Sequence, residues 1–193
     1  MSAFTLRDLS SADDCASIAA IYADAVRSST ATLAYAEESP SAADFRARWD
    51  ASRARALPWV VAVDAADGKT IIGYTSVGDF RPRMGWRFTG EHAIYVRPSW
   101  ARRGVGRALL GAAIAGARAA GLSTLVAVIS VHEPSGAGAA SLALHAAVGF
   151  ERFGYLRGAG VKGGLVLDVA WLSLSLQPIP TAAVEDARAA LEN

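Results

Sequence analysis

The run Arg102-Arg103-Gly104-Val105-Gly106-Arg107-Ala108 stands between a β-rich stretch that ends near Val96 and a helical pattern carrying Leu109, Leu110 and Ile114. At such a place the free N–H groups of a helix's first turn point outward, the helix dipole is positive, and residues without Cβ let an anion reach the amides. Arg102, Arg103 and Arg107 add charge that suits a ligand with more than one phosphate. The same residues also read as an ordinary glycine-softened turn with solvated arginines. Two other phosphate motifs are excluded. A Walker loop needs a lysine and a hydroxyl after its second glycine, where Arg107 and Ala108 stand. The dinucleotide fingerprint needs three glycines early in a doubly wound sheet, whereas this turn follows an antiparallel meander past the middle of the chain.

Further polar residues lie on either side. Arg81 and Arg83 alternate across Pro82, so an extended loop would turn both guanidinium groups one way, to grip a carboxylate or phosphinate or to stand solvated. Trp86 reads as a pocket wall or as simple packing. Glu91, on spacing alone, is a surface glutamate at a strand end. His145, among Leu142, Leu144 and Val148, is either a half-buried helix residue or a group that takes or gives a proton near neutral pH. His92 and His132 have no zinc-like spacing, so no metal is expected.

These residues need elements to position them. AFTLRD (3–8) reads as a strand, and SSADD offers caps for a helix over 13–28 with Ile18, Ile21, Tyr22, Ala25 and Val26 on its apolar side. After a loop, a second helix spans 41–55, with Ser41 to Asp44 as its first turn and Pro58 barring extension. Residues 59–80 form a hairpin turning at Asp67-Gly68, RPRMGWRFTG is a loop, and EHAIYV is a strand ended by Pro98. A helix over 104–120 stops at Gly121. LSTLVAVISV (122–131) is almost wholly apolar, as in a strand covered on both faces. VHEPSGAGA connects to a short helix, ASLALHAAV, and residues 149–176 form two strands around a glycine-rich turn. The tail ends in a helix capped by Thr181. The expected fold is mixed α/β: one domain over 1–177 with a mostly antiparallel sheet and helices on both faces, then a helical tail over 178–193.

Composition narrows the partners. With 52% hydrophobic residues the chain can bury a sizeable core, and 19 Lys+Arg against 18 Asp+Glu gives no global attraction to nucleic acid or an anionic membrane. The first residues lack a basic region followed by an apolar run, and the apolar stretch 108–117 is too short to span a bilayer. The single cysteine, Cys15, forms no internal disulfide, which fits the reducing cytoplasm, and on a helix it reads as a small packed residue.

Arg103-x-x-Gly106-x-Ala108 resembles the Arg/Gln-x-x-Gly-x-Gly/Ala pyrophosphate loop of the GNAT superfamily of acetyl-coenzyme A dependent N-acetyltransferases, and the order of elements is similar over 3–175. The phosphinothricin and methionine sulfoximine N-acetyltransferase branch is resembled in Phe80-Arg81-Pro82-Arg83, Thr89-Gly90-Glu91 with Ile94-Tyr95-Val96, Leu144-His145 with Gly149-Phe150, and Gly160-Val161-Lys162 with Leu167-Asp168-Val169.

The resemblance implies that coenzyme A lies between splayed strands matching 91–97 and 122–130, with its pyrophosphate on Arg102, Arg103, Gly104, Val105, Gly106, Arg107 and Ala108. Ile94, Tyr95 and Val96 would present backbone groups to the pantetheine arm and the thioester. Glu91 matches the base that deprotonates the amine, and His145 stands where many members place a tyrosine that protonates the leaving sulfur. Arg81, Arg83 and Trp86 would hold an amino-acid-like acceptor. Lys162 and Asp168 match family positions, for which a structural ion pair is a sufficient account.

Three departures bear on this expectation. Gly138 replaces an asparagine seven residues before the helix histidine, Gly90 replaces a valine, and Lys162-Gly163-Gly164-Leu165-Val166 replaces Lys-Phe-Gly-Arg-Trp. The expected activity is acetyl transfer from acetyl-coenzyme A to the primary amine of a small amino-acid-like molecule. The alternatives are an acetyltransferase for protein N-termini or other amines and a non-catalytic acyl-coenzyme A binding module. A homodimer through the C-terminal strands and final helix is a further expectation.

Overall fold

Alternation along the second strand sets the layers. In β2 (Trp59–Asp64), Trp59, Val61 and Val63 point to one cluster with Ile18, Ile21, Phe45 and Trp49, while Val60 and Ala62 point to another with Val105 and Leu109. Period-two alternation with both faces apolar requires cover on both sides. Helices α1 (Ala12–Ser28) and α2 (Ala42–Arg53) cover the first face, and α3 (Val105–Ala119) the second.

The computed structural model describes residues 3–190, and its sheet has seven strands in the order β1-β2-β3-β4-β5-β7-β6. The remaining strands are β1 (Phe4–Asp8), β3 (Ile71–Asp79), β4 (Thr89–Val96), β5 (Thr124–Val131), β6 (Glu151–Lys162) and β7 (Leu165–Ser175). Every pairing is antiparallel except β4 with β5. That parallel pair needs a crossover, which α3 provides against the sheet. Helix α4 (Ala139–Ala146) packs on the same face beyond β5, through Leu142 and Leu144. The expected mixed α/β sheet with helices on both faces is the one observed.

Local chemistry explains the helix starts. Ser11 caps α1 by accepting from the Asp14 N–H, and Ser41 caps α2 in a reciprocal capping box with Asp44. Ser41 therefore stands outside the first turn in which the sequence placed it. The final helix, α5 (Thr181–Ala189), also differs: Pro180 precedes it, Thr181 is its first helical residue, and no side chain caps it. Residues 191–193 of the expected tail lie outside the described residues. Lys162 and Asp168 do not pair. The Lys162 Nζ donates to the Thr32 carbonyl at 2.7 Å, while Asp168 accepts from the Tyr155 hydroxyl and the Gly158 N–H.

One ion pair fixes the entry into α1. Arg7 donates two hydrogen bonds, of 2.7 and 2.8 Å, to the buried Asp14 carboxylate, which also accepts from the Ser10 N–H. The Arg7 bonds, aided by Ser10, hold the Asp14 pKa down to about 2. A carboxyl depressed in the folded state adds stability above its unfolded pKa and loses it as pH falls towards the folded value. Asp14→Ala is expected to lose about 2 kcal/mol at neutral pH by urea unfolding, with the difference from wild type shrinking between pH 4 and 2.

Candidate active site

The parallel pairing of β4 and β5 is brief. It runs through Thr89 with Thr124, Gly90 with Leu125 and Glu91 with Val126, and then ends. Beyond Glu91, β4 stays paired with β3 as far as Val96, and β5 stays paired with β7 as far as Val131. Each strand thus keeps one bonded edge and turns the other to an opening wedge. Gly90 closes the narrow end, where a Cβ would stand 2.6 Å from a Leu122 methyl and 2.9 Å from a Val77 methyl. The valine expected by resemblance has no room there.

Backbone alternation assigns groups to the wedge. The Arg97 N–H donates to the Ile72 carbonyl, and the Tyr95 carbonyl lies 2.9 Å from where a Gly73 Cβ would stand. Residues 95 and 97 therefore spend their backbone groups on β3, and His92, Ile94 and Val96 turn theirs to the gap. This corrects the expectation for Tyr95, whose ring stacks on Tyr74 at 5.6 Å and meets Tyr22 edge-on at 5.0 Å. Val128 corrects another: midway along β5 it is 40% exposed because it faces the wedge.

A cavity of about 1340 Å³ passes through the opening and reaches both faces of the sheet. On the α3–α4 side it meets Arg102, Gly106, Gly138, Ser141 and His145. Gly104 caps α3 in the left-handed region, with φ 84°, and the first helical bond runs from the Ala108 N–H to the Gly104 carbonyl at 3.0 Å. The Val105, Gly106 and Arg107 amides are left without an intrahelical acceptor. Ala108 departs from expectation, since its N–H is already used. Arg103 lies over the Trp100 ring, and Arg102, Arg103 and Arg107 form no ion pair among the described residues.

On the α1–α2 side the cavity is lined by Tyr22, Tyr74, Arg48, the 28–33 segment and Glu91. Burial raises the Glu91 pKa above the ordinary carboxylate value, with Arg81 opposing it. The structure does not bring Arg81, Arg83 or Trp86 into the lining. Arg81 folds over the Phe80 ring at 4.3 Å, Trp86 meets that ring edge-on, and Arg83 is exposed. Their loop is tied to the end of α2 by Arg55, which pairs with Asp79 and donates to the Arg87 carbonyl.

His145 is buried and is joined by a residue that the sequence pattern did not single out for this site. Its Nδ1 lies 2.7 Å from the Ser141 carbonyl oxygen, and its Nε2 lies 3.1 Å from His92 Nε2. Strand alternation could have signalled His92, since Glu91 and His92 must face opposite sides of β4. Its partner depends on where α4 docks. Arg48 and the 28–33 segment carry no local signal of their place in the cavity. His132 is held by Ser135 through Nδ1 and Oγ, 2.9 Å apart.

A mixed sheet that parts between two parallel strands, over a helix start rich in free amides, defines an acyltransferase of the acyl-coenzyme A type. Residues 18–150 match the model of the acetyltransferase (GNAT) family, and the chain belongs to that family. It is 42% identical to an L-methionine sulfoximine/L-methionine sulfone acetyltransferase of Pseudomonas paraeruginosa, over 92% of this chain and 98% of that protein. It is 37% identical to the phosphinothricin N-acetyltransferase of Alcaligenes faecalis, over 85% of this chain and 79% of that one. The crystal structure of a GNAT superfamily phosphinothricin acetyltransferase from Sinorhizobium meliloti in complex with AcCoA superposes with a TM-score of 0.79. It is 36% identical and covers 90% of this chain and 89% of that chain.

Gly138 explains the missing asparagine. It caps α4 in the left-handed region, with φ 83°, and a Cβ there would stand 2.4 Å from the Ser130 carbonyl oxygen. Gly138→Asn is therefore expected to destabilise the fold by about 2 kcal/mol or more in thermal or urea unfolding, because β5 backbone cannot yield as a flexible side chain can.

Proposed function

We propose that this protein transfers the acetyl group of acetyl-coenzyme A directly to the primary amine of a small amino-acid-like substrate of the phosphinothricin or methionine sulfoximine type. The observation that carries this reading is the wedge beside Glu91, with helix-start amides and arginines unpaired among the described residues at one end and a half-buried acid at the other. The names of the relatives support the substrate class.

Acetyl-coenzyme A supplies the activated acetyl thioester. The Val105, Gly106 and Arg107 amides, with Arg102, Arg103 and the Gly104 turn, bind its diphosphate. The Ile94 and Val96 backbone groups pair with its amide arm along the open edge of β4, as an added strand would. A backbone N–H on that edge also stabilises the carbonyl oxygen as it gains charge, a contact whose removal costs about 3 kcal/mol in comparable sites.

On the other face Glu91 accepts a proton from the ammonium form of the amine, directly or through water. Arg48, which lines the cavity, orients the acceptor's carboxylate, and Arg81, close enough to oppose the rise of the Glu91 pKa, adds positive charge at that mouth. His145 lies on the side of the leaving sulfur, where its neutral ring N–H gives the thiolate a hydrogen bond while water supplies the proton. The exposed Phe153, Leu156, Val161 and Val166 form the face across which two copies would pair. A buried free Cys15 is compatible with work in the cytoplasm.

Gly106 gives a test that separates binding from folding. A Cβ there would meet only a Leu144 methyl, at 3.5 Å, so Gly106→Ala should hold or slightly raise the melting temperature through better helix propensity. Calorimetry should nonetheless show about tenfold weaker coenzyme A binding, because the methyl stands between the amides and the diphosphate.

Glu91→Gln tests the chemistry. Thiol release with methionine sulfoximine, phosphinothricin and a panel of amino acids should fall by about a hundredfold, with coenzyme A affinity unchanged. A base works when deprotonated, so the wild-type rate should rise with pH through a raised carboxyl pKa, and Gln should abolish that limb. A carboxyl raised by burial penalises the folded state above its pKa, so Gln should also increase the melting temperature at pH 7. Turnover of peptides or polyamines with none of the amino-acid panel would overturn the proposed substrate class.

A further inference from the structure

The contact between His92 and His145 joins side chains 53 residues apart in sequence, and its hydrogen-bond chemistry has one solution. The Ser141 carbonyl oxygen can only accept, so His145 Nδ1, 2.7 Å away, carries a proton. Burial lowers the pKa of both rings, that of His92 to about 3, so both are neutral near pH 7 and each carries one proton. His145 Nε2 is then a bare acceptor, and the 3.1 Å contact is a hydrogen bond only when His92 Nε2 is the donor. This leaves His92 Nδ1 bare, and it is buried without a hydrogen-bond partner among the described residues.

Aromatic packing surrounds the pair. The rings stack at 5.0 Å, and Phe150 stands edge-on to His145 at 5.0 Å and tilted to His92 at 5.5 Å. Among the described residues Ser141 supplies the only other polar contacts of the two side chains, its carbonyl and, at 3.5 Å from His145 Nδ1, its hydroxyl. Glu91, next to His92 in sequence, points to the other face of β4.

We propose that His92 is a positioning residue whose Nε2–H occupies His145 Nε2, confining His145 to the tautomer that presents its proton at Nδ1, beside Ser141. Its kinetic consequence rests on the reading above, in which His145 serves the leaving sulfur. Without His92 the buried His145 Nε2 loses its donor, and the ring is free to turn over or move its proton to the wrong nitrogen. The directed order of donors, from His92 through His145 to Ser141, fixes the nitrogen from which His145 can give a hydrogen bond.

The full chain with 15N-labelled histidine tests this at neutral pH, since its three histidines can be assigned one by one by substitution. Long-range proton–nitrogen spectra should place the His145 proton on Nδ1 and the His92 proton on Nε2. A wild-type His145 protonated at Nε2 overturns the proposal whether or not any amine is acetylated. In thiol-release kinetics, His92→Phe should lower kcat by about tenfold or more while leaving KM for acetyl-coenzyme A nearly unchanged. His92→Gln, whose amide N–H can reach the same nitrogen, should restore most of the loss. A folded His92→Phe protein with wild-type kcat overturns the role, as does a Gln variant no better than Phe. If His92→Phe does not fold, His92→Met against His92→Gln makes the same comparison. Failure of every amine in the panel would instead remove the proposed function and leave the tautomer to the spectra.

Discussion

The parting of β4 from β5 after Glu91 and Val126 is the constraint on which the rest depends. A sheet interior normally satisfies its backbone groups strand to strand, and groups turned to a gap must find partners elsewhere. Two neighbours make the gap possible: β3 holds β4 and β7 holds β5, so neither strand frays when the other leaves. Gly90 pins the closed end, because Leu122 and Val77 occupy the space a side chain would take. The result is an opening lined by backbone donors and acceptors that meet no strand partner among the described residues, a feature suited to an extended amide-bearing ligand.

Charge is distributed unevenly about that opening. The α3 end combines a positive helix terminus with three arginines free of ion pairs among the described residues. Near the apex, burial favours neutral forms: the Glu91 pKa rises, and those of His92 and His145 fall. Positive charge thus gathers at one end, while at the apex burial works against charged forms. What the apex can donate or accept is therefore set by which nitrogen or oxygen carries the proton.

The opposite mouth is held by long-range contacts. Lys162, buried and without an ion pair among the described residues, donates to the Thr32 carbonyl; the Tyr35 hydroxyl donates to the Val161 carbonyl; Leu33 packs on Gly160. These bonds place the segment after α1 over the cavity by attaching it to the β6–β7 hairpin. Desolvation lowers the Lys162 pKa, a sign that the lysine serves as a hydrogen-bond strut in a tight space. The family pattern lost at residues 163–166 lies beside this strut, so the departure touches the mouth and leaves the diphosphate end alone.

Much of this was legible in the residues themselves. Apolar periodicity and capping chemistry placed α1, α2 and α3 to within a few residues, because those signals are local. The Gly104 and Gly106 turn also announced its free amides, since a helix start leaves them open whatever it packs against. What sequence reasoning missed or misassigned depends on partners far along the chain. Lys162 and Asp168 found separate partners, Tyr95 spent its backbone on β3, Val128 met the wedge, and Arg81 and Trp86 packed on the Phe80 ring outside the cavity. His92 met His145 only because α4 docks beside β4. Local sequence sets periodicity, caps and turn conformation, whereas the choice of partner for a buried polar group is settled by the packing of elements that lie far apart in the chain.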